Sequence, residues 1–150
     1  MTLDIDAIAE ALAGRYSGLT PPTGYTAIHA ATSHPANAAV QTPYLIVWAR
    51  RGELVYSAGL RRGEHEFDVV LYLDRAQHDQ PREMERAQKW VGVLLDATHG
   101  ALKLGLSASG VLKALPITWE IDDQRYANPT YDIVRISVTI WTEDSVTLTP

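Results

Sequence analysis

The sequence predicts an α+β fold, an antiparallel or mixed sheet of about five strands packed against two helices. Three observations carry that expectation. First, Tyr131-Asp-Ile-Val-Arg-Ile-Ser-Val-Thr-Ile-Trp141 alternates, with Val134, Ile136, Val138 and Ile140 on one face and Tyr131, Ile133, Arg135, Ser137, Thr139 and Trp141 on the other. Second, apolar residues from Met84 to Leu102 recur at helical spacing instead. Third, the apolar runs between Tyr44 and Leu73 are separated by short glycine-containing stretches, which favours antiparallel neighbours.

The elements follow in order. Ile5, Ile8, Ala9, Leu12 and Tyr16 fall at helical spacing, Asp4 and Asp6 suit a helix N-terminus, and Gly14 and Gly18 bracket its end. Thr20 to Pro43 is rich in Thr, Ala, Pro and Gly without a period, so a long mobile loop that orders against a partner is expected. Tyr44 to Ala49 is a continuous apolar run suited to a central strand covered on both faces. Arg51-Gly-Glu53 reads as a turn, Leu54 to Leu60 as a second strand, Arg61-Arg-Gly63 as another turn, and Glu64 to Leu73 as a third strand. Asp79 or Gln80 can cap a second helix, with Pro81 in its first turn. Its core stripe is Met84, Ala87, Val91, Leu94, Leu95, Thr98 and Leu102, and Arg82, Glu85, Arg86 and Lys89 point to solvent. Lys103 to Gly110 is an exit loop, Leu112 to Ile121 a fourth strand, and Asp122 to Thr130 a polar hairpin loop. The final strand, Tyr131 to Trp141, is expected to leave an edge on which another copy could dock. Residues 1–150 form one domain, of a size that buries roughly 68–70% of its unfolded surface.

Composition narrows the function. With 46% apolar and 21% charged residues the chain reads as an ordinary globular protein, and a net charge of -5 argues against a dedicated nucleic-acid binder. The absence of cysteine excludes disulfides and thiolate metal sites. The acidic start Met1-Thr-Leu-Asp-Ile-Asp lacks the pattern of a signal peptide, and no apolar run approaches bilayer-spanning length. A soluble cytosolic product without membrane contact is the expectation.

No catalytic, cofactor or metal site is read from the chain. Gly105-Leu-Ser-Ala-Ser-Gly110 has P-loop glycine spacing, but Val111-Leu112 replace the lysine and hydroxyl that hold phosphate and magnesium. It also fails as a nucleophile elbow, because Ser109 stands at the closing glycine and the stretch follows a helix. His29, His34, His65, His78 and His99 form no paired motif, so zinc would need ligands brought together only by folding. Glu64, Glu66 and Asp68 alternate and share one strand face, either an exposed face or the acidic wall of an assembled pore. Arg50, Arg51, Arg61 and Arg62 flank the second strand as candidate inter-subunit ion-pair residues, with solvated turns as the equal alternative. Trp48, Trp90 and Trp119 are expected in the core, whereas Trp141 is the candidate interface anchor.

The order of elements carries a resemblance. A short N-terminal helix precedes a meander ending in Glu64-His-Glu-Phe-Asp-Val-Val-Leu-Tyr-Leu73, then the helix Arg82-Glu-Met-Glu-Arg-Ala-Gln-Lys-Trp-Val-Gly-Val-Leu-Leu95, then Ile117-Thr-Trp-Glu-Ile121 and Tyr131 to Trp141. From Tyr44 to Thr142 the chain resembles the tail terminator, or tail completion, proteins of long-tailed bacteriophages, the lambda U-type minor tail protein family. The resemblance implies a virion protein of the tail neck, assembled in the host cytoplasm. It implies a homo-oligomeric ring, typically a hexamer, on the end of the tail tube. That ring stops tube polymerisation and offers a surface to the head connector or neck protein. Its partners are then the tail tube protein and the connector, and DNA passes through without specific binding. On this reading Glu64, Glu66 and Asp68 face the lumen, where carboxylates repel phosphate. The nearest rival is another neck component, a head-closure or head–tail joining protein. A small cytosolic enzyme would need a cleft with convergent polar groups, and a ligand-binding module a defined apolar pocket.

Overall fold

The computed structural model describes residues 3–35, 41–75, 80–99, 111–127 and 129–145. The first helix, α1 (Ile5–Tyr16), forms as its sequence requires. The Asp4 carboxylate caps it by accepting from the Ala7 amide at 3.0 Å, and Ile8, Ala9, Leu12, Ala13 and Tyr16 make its buried stripe. The chain then leaves in extended conformation at Ser17 and turns at Gly18, whose φ of +76° suits glycine. The Thr20–Pro43 segment contains a short strand, β1 (Ala30–Thr32), that pairs in parallel with the start of β2 (Tyr44–Ser57). Ile28 and Ala31 pack on the core, so part of this segment is ordered by its own chain. Three residues with no period are too few to announce a strand in a sequence.

β2 and β3 (Leu60–Arg75) form one long antiparallel hairpin. This corrects the reading of two turns and three strands across Tyr44–Leu73. Arg51-Gly52-Glu53 and Arg61-Arg62-Gly63 lie inside the ladder, with Arg51 opposite Glu66 and Leu54 opposite Gly63. The true turn is Ala58-Gly59, where both residues have positive φ, 50° and 79°. Such a pair matches the twist of the flanking strands, but alanine does not signal it as asparagine or aspartate would.

Helix α2 (Gln80–His99) buries Ala87, Trp90, Val91, Leu94 and Thr98. Met84, expected in its stripe, is 48% exposed, and Arg86, expected in solvent, is half-buried in ion pairs. Asp79, Leu102 and the Lys103–Gly110 loop lie outside the described residues. Two hydroxyls join the helices: Tyr16 and Thr98 hydrogen-bond at 2.5 Å, and Thr98 donates to the Leu94 carbonyl at 2.8 Å. Burial pushes the Tyr16 phenol up to about 12.

β4 (Val111–Arg125) and β5 (Thr130–Ser145) are longer than expected and complete a five-stranded sheet of order β1-β2-β3-β5-β4. β5 therefore lies between β3 and β4, antiparallel to both. The expectation of a free edge on the Tyr131–Trp141 strand is thus overturned. α2 carries the chain past one strand position, β4 takes the margin, and β5 returns into the gap. Among the described residues, the open margins are β4 and the part of β2 beyond Ile46.

Both helices pack on one face of the sheet. Val134, Ile136, Val138 and Ile140 meet Leu45, Val47, Phe67, Val69 and Leu71 there, as the alternation predicts. The opposite face is not uniformly wet. Tyr44, Ile46, Val70, Tyr72, Tyr131 and Ile133 form a second buried cluster at one end, with Tyr72 edge-to-face against Tyr131 and Tyr126.

Candidate functional site

The helix-free face of the sheet carries most of the residues singled out in the sequence. Glu64, Glu66 and Asp68 point to this face as strand alternation requires, but their surroundings differ. Asp68 is buried and accepts the Ser137 hydroxyl at 3.0 Å. Glu66 is clasped by Arg51, with Nε at 2.9 Å from one oxygen and Nη2 at 3.0 Å from the other. That guanidinium holds the Glu66 carboxyl below its usual range. Glu64 alone of the three is exposed, and Glu53 stands directly opposite it across the ladder.

Three of the four arginines are engaged within the chain. Arg51 holds Glu66, and Arg62 donates to Glu143 at 2.6 Å. Arg61 makes a two-pronged pair with Asp144, whose carboxyl is buried beside Leu3 and held below its ordinary value. Their sequence signal was a pair of charged turns; strand register instead places Arg61 opposite Asp144, Arg62 opposite Glu143 and Arg51 opposite Glu66. Arg50 stands apart. It sits in the irregularity of β2 between Ala49 and Arg51, where an extra residue re-aims a side chain.

Arg50 lies on the rim of an open trough of about 500 Å³ on this face. Trp48 walls it from β2 and Thr118 and Glu120 from β4, and Asp68 and Ser137 form its floor. Arg135, ion-paired with Glu120 and donating to Gln124 at 2.8 Å, closes one side. Opposite charges balance around the trough, and the Ser137 hydroxyl is committed to a carboxylate instead of an imidazole base. The arrangement offers surface for contact, with no nucleophile–base pair among the described residues that line it.

The tryptophans divide otherwise than expected. Trp90 is core, Trp48 is half-buried, and Trp119 is 53% exposed on the marginal strand β4. Trp141, the expected interface anchor, is half-buried with the Lys113 ammonium 4.9 Å from its ring centroid. Trp119 could not be singled out in the sequence because Ile117, Trp119 and Ile121 alternate like any half-buried strand. Only the sheet order shows that this strand is marginal.

A further apolar surface was not anticipated. The outer half of β2 is exposed from Ala49 to Ser57, and it includes Leu54, Val55 at 65% and Tyr56 at 51% exposure. Consecutive large apolar residues on an open strand margin are the kind of feature that marks an interaction surface. No protein-family model matches the chain, and no curated protein matches it.

Proposed function

We propose that this chain is a structural subunit that closes into a ring, and that the ring is a phage tail terminator seated on the end of the tail tube. The observation that carries the reading is the exposed Leu54-Val55-Tyr56 run on the open half of β2. The other open margin, β4 with Trp119, lies on the opposite side of the sheet. Two different surfaces on opposite margins suit a head-to-tail contact, and such contacts close into rings when the rotation allows. Strand margins can add main-chain pairing to apolar burial.

The paired arginines now contribute to the fold of the subunit more than to its lateral contacts, with Arg50 the remaining candidate. Glu64 and Glu53 supply the exposed acidic patch that a DNA conduit would use to avoid gripping phosphate. Asp68, buried in the trough floor, contributes little to such a wall.

Light-scattering mass across a concentration series, with negative-stain images alone and with isolated tail tubes, tests the proposal. Rings, free or tube-induced, are the expected result. A strict monomer that neither forms rings nor binds tubes would sink it. Val55→Glu is expected to abolish ring formation while leaving the melting temperature within a few degrees, because the side chain is exposed in the subunit. Rings formed equally well by Val55→Glu would show that the open half of β2 is not the lateral surface.

A further inference from the structure

Asp6 and Glu10 lie one helical turn apart on the exposed side of α1, and His34 reaches them from the chain just after β1. His34 Nε2 is 3.6 Å from Asp6 Oδ1 and 3.8 Å from Glu10 Oε1, and one donor atom of each residue lies within 4.8 Å of the others. These gaps are too wide for hydrogen bonds. The two imidazole–carboxylate gaps approach the roughly 3.4 Å edge of a tetrahedron centred about 2.1 Å from each donor, the usual bond length of zinc to imidazole or carboxylate. We infer that Asp6, Glu10 and His34 form a three-ligand zinc site, with solvent at the fourth position.

The donors are held by parts of the fold that would not touch the ion. The opposite face of α1 is buried in the core, so the Asp6 and Glu10 backbone is fixed. His34 is positioned by the pairing of β1 with β2 and by Thr32, whose hydroxyl donates to the His34 carbonyl at 3.0 Å. The imidazole comes from a segment distant in sequence and adds a nitrogen donor, which separates this group from an ordinary run of surface carboxylates. One nitrogen and two oxygens suit zinc better than magnesium or calcium, which prefer oxygen alone. Bound metal would fasten the Thr20–Pro35 segment to α1. The site is independent of the assembly reading.

The rival explanation is a plain ion pair between a protonated imidazole and the two carboxylates. Calorimetric titration with zinc chloride at pH 7.5 separates the two, using wild type, His34→Ala, the double variant Asp6→Asn/Glu10→Gln, and His99→Ala as a control. All three ligands are exposed, so the variants should remain folded, which circular dichroism checks. Expected is one zinc per wild-type chain and affinity at least tenfold weaker in the His34 and the double variants. His99→Ala should bind as wild type does, and zinc but not magnesium should raise the melting temperature. Absence of saturable zinc binding by wild type, or equal binding by His34→Ala, would overturn the inference.

Discussion

Gly63→Ala is expected to lower folding stability by about 3 kcal/mol, toward the upper end of what overpacking a filled site costs. At an ordinary strand position the same change is mildly favourable, because alanine loses less backbone freedom than glycine. Here the room is taken. The His65 imidazole is buried between two glycines and hydrogen-bonds Thr142 at 3.0 Å. A Cβ on Gly63 would meet the Thr142 hydroxyl at 2.7 Å and press on the imidazole ring as well, and a Cβ on Gly52 would meet His65 Nδ1 at 2.6 Å. Gly52→Ala should cost less, about 1–2 kcal/mol, because β2 is marginal there and can shift. His65→Ala should then make Gly52→Ala nearly neutral, a coupling that urea melts of the single and double variants would reveal. A Gly63→Ala protein with the wild-type urea midpoint would show that the imidazole does not need this space.

Those two glycines explain much of what the sequence reading missed. Glycine beside charged residues reads as a turn, as at Arg51-Gly-Glu53 and Arg61-Arg-Gly63. In the fold they are strand positions whose missing side chains leave space for a histidine from the neighbouring strand or the same one. Local sequence cannot distinguish those causes, because the reason for the glycine lies across the ladder. The true turn was silent, since Ala58 holds a position that Asn or Asp would have announced.

What depended on periodicity was legible. The α1 stripe, most of the α2 stripe and the Val134–Ile140 face were all visible, because each element buries one face and alternation or helical spacing records it. Strand order was not recorded. β5 has an apolar face and a mixed one whether it lies at a margin or between β3 and β4, so its open edge could only be guessed. Sheet order also leaves Trp119 and the Leu54–Tyr56 run among the exposed large apolar residues, which local pattern does not single out. The arginines looked available because their partners, Glu66, Glu143 and Asp144, lie on other strands or far along the chain.

The same limit hid the junction beneath α2, where the second large effect is expected. Asp132 is buried on β5, directly opposite Asp123 on β4. Arg86 reaches down from α2 to donate to Asp132 at 2.9 Å and lies 3.8 Å from Asp74, while Glu83 adds a further negative charge. One cation therefore faces several carboxylates. Burial first, and then the hydrogen bond with Asp123, push the Asp132 carboxyl up to about 6 from an ordinary 3.8. Between those values the folded protein binds a proton that the unfolded chain does not. This contribution to stability is complete in acid and is lost as pH rises through about 6.

Asp132→Asn mimics the protonated form, so it should match wild type near pH 4 and exceed it at pH 7.5. The whole shift would correspond to about 3 kcal/mol, and solvent reaching Asp123 and Asp74 reduces the expected gain to about 1–2 kcal/mol. His65 titrates in the opposite sense. Burial holds it below its usual 6.5, so its contribution is lost as pH falls and gives both proteins a common acid limb. Subtracting the two urea-derived stability profiles removes that limb and leaves Asp132 alone. An asparagine variant less stable than wild type at pH 7.5 would mean that the ion pair with Arg86 outweighs the cost of burying the carboxylate.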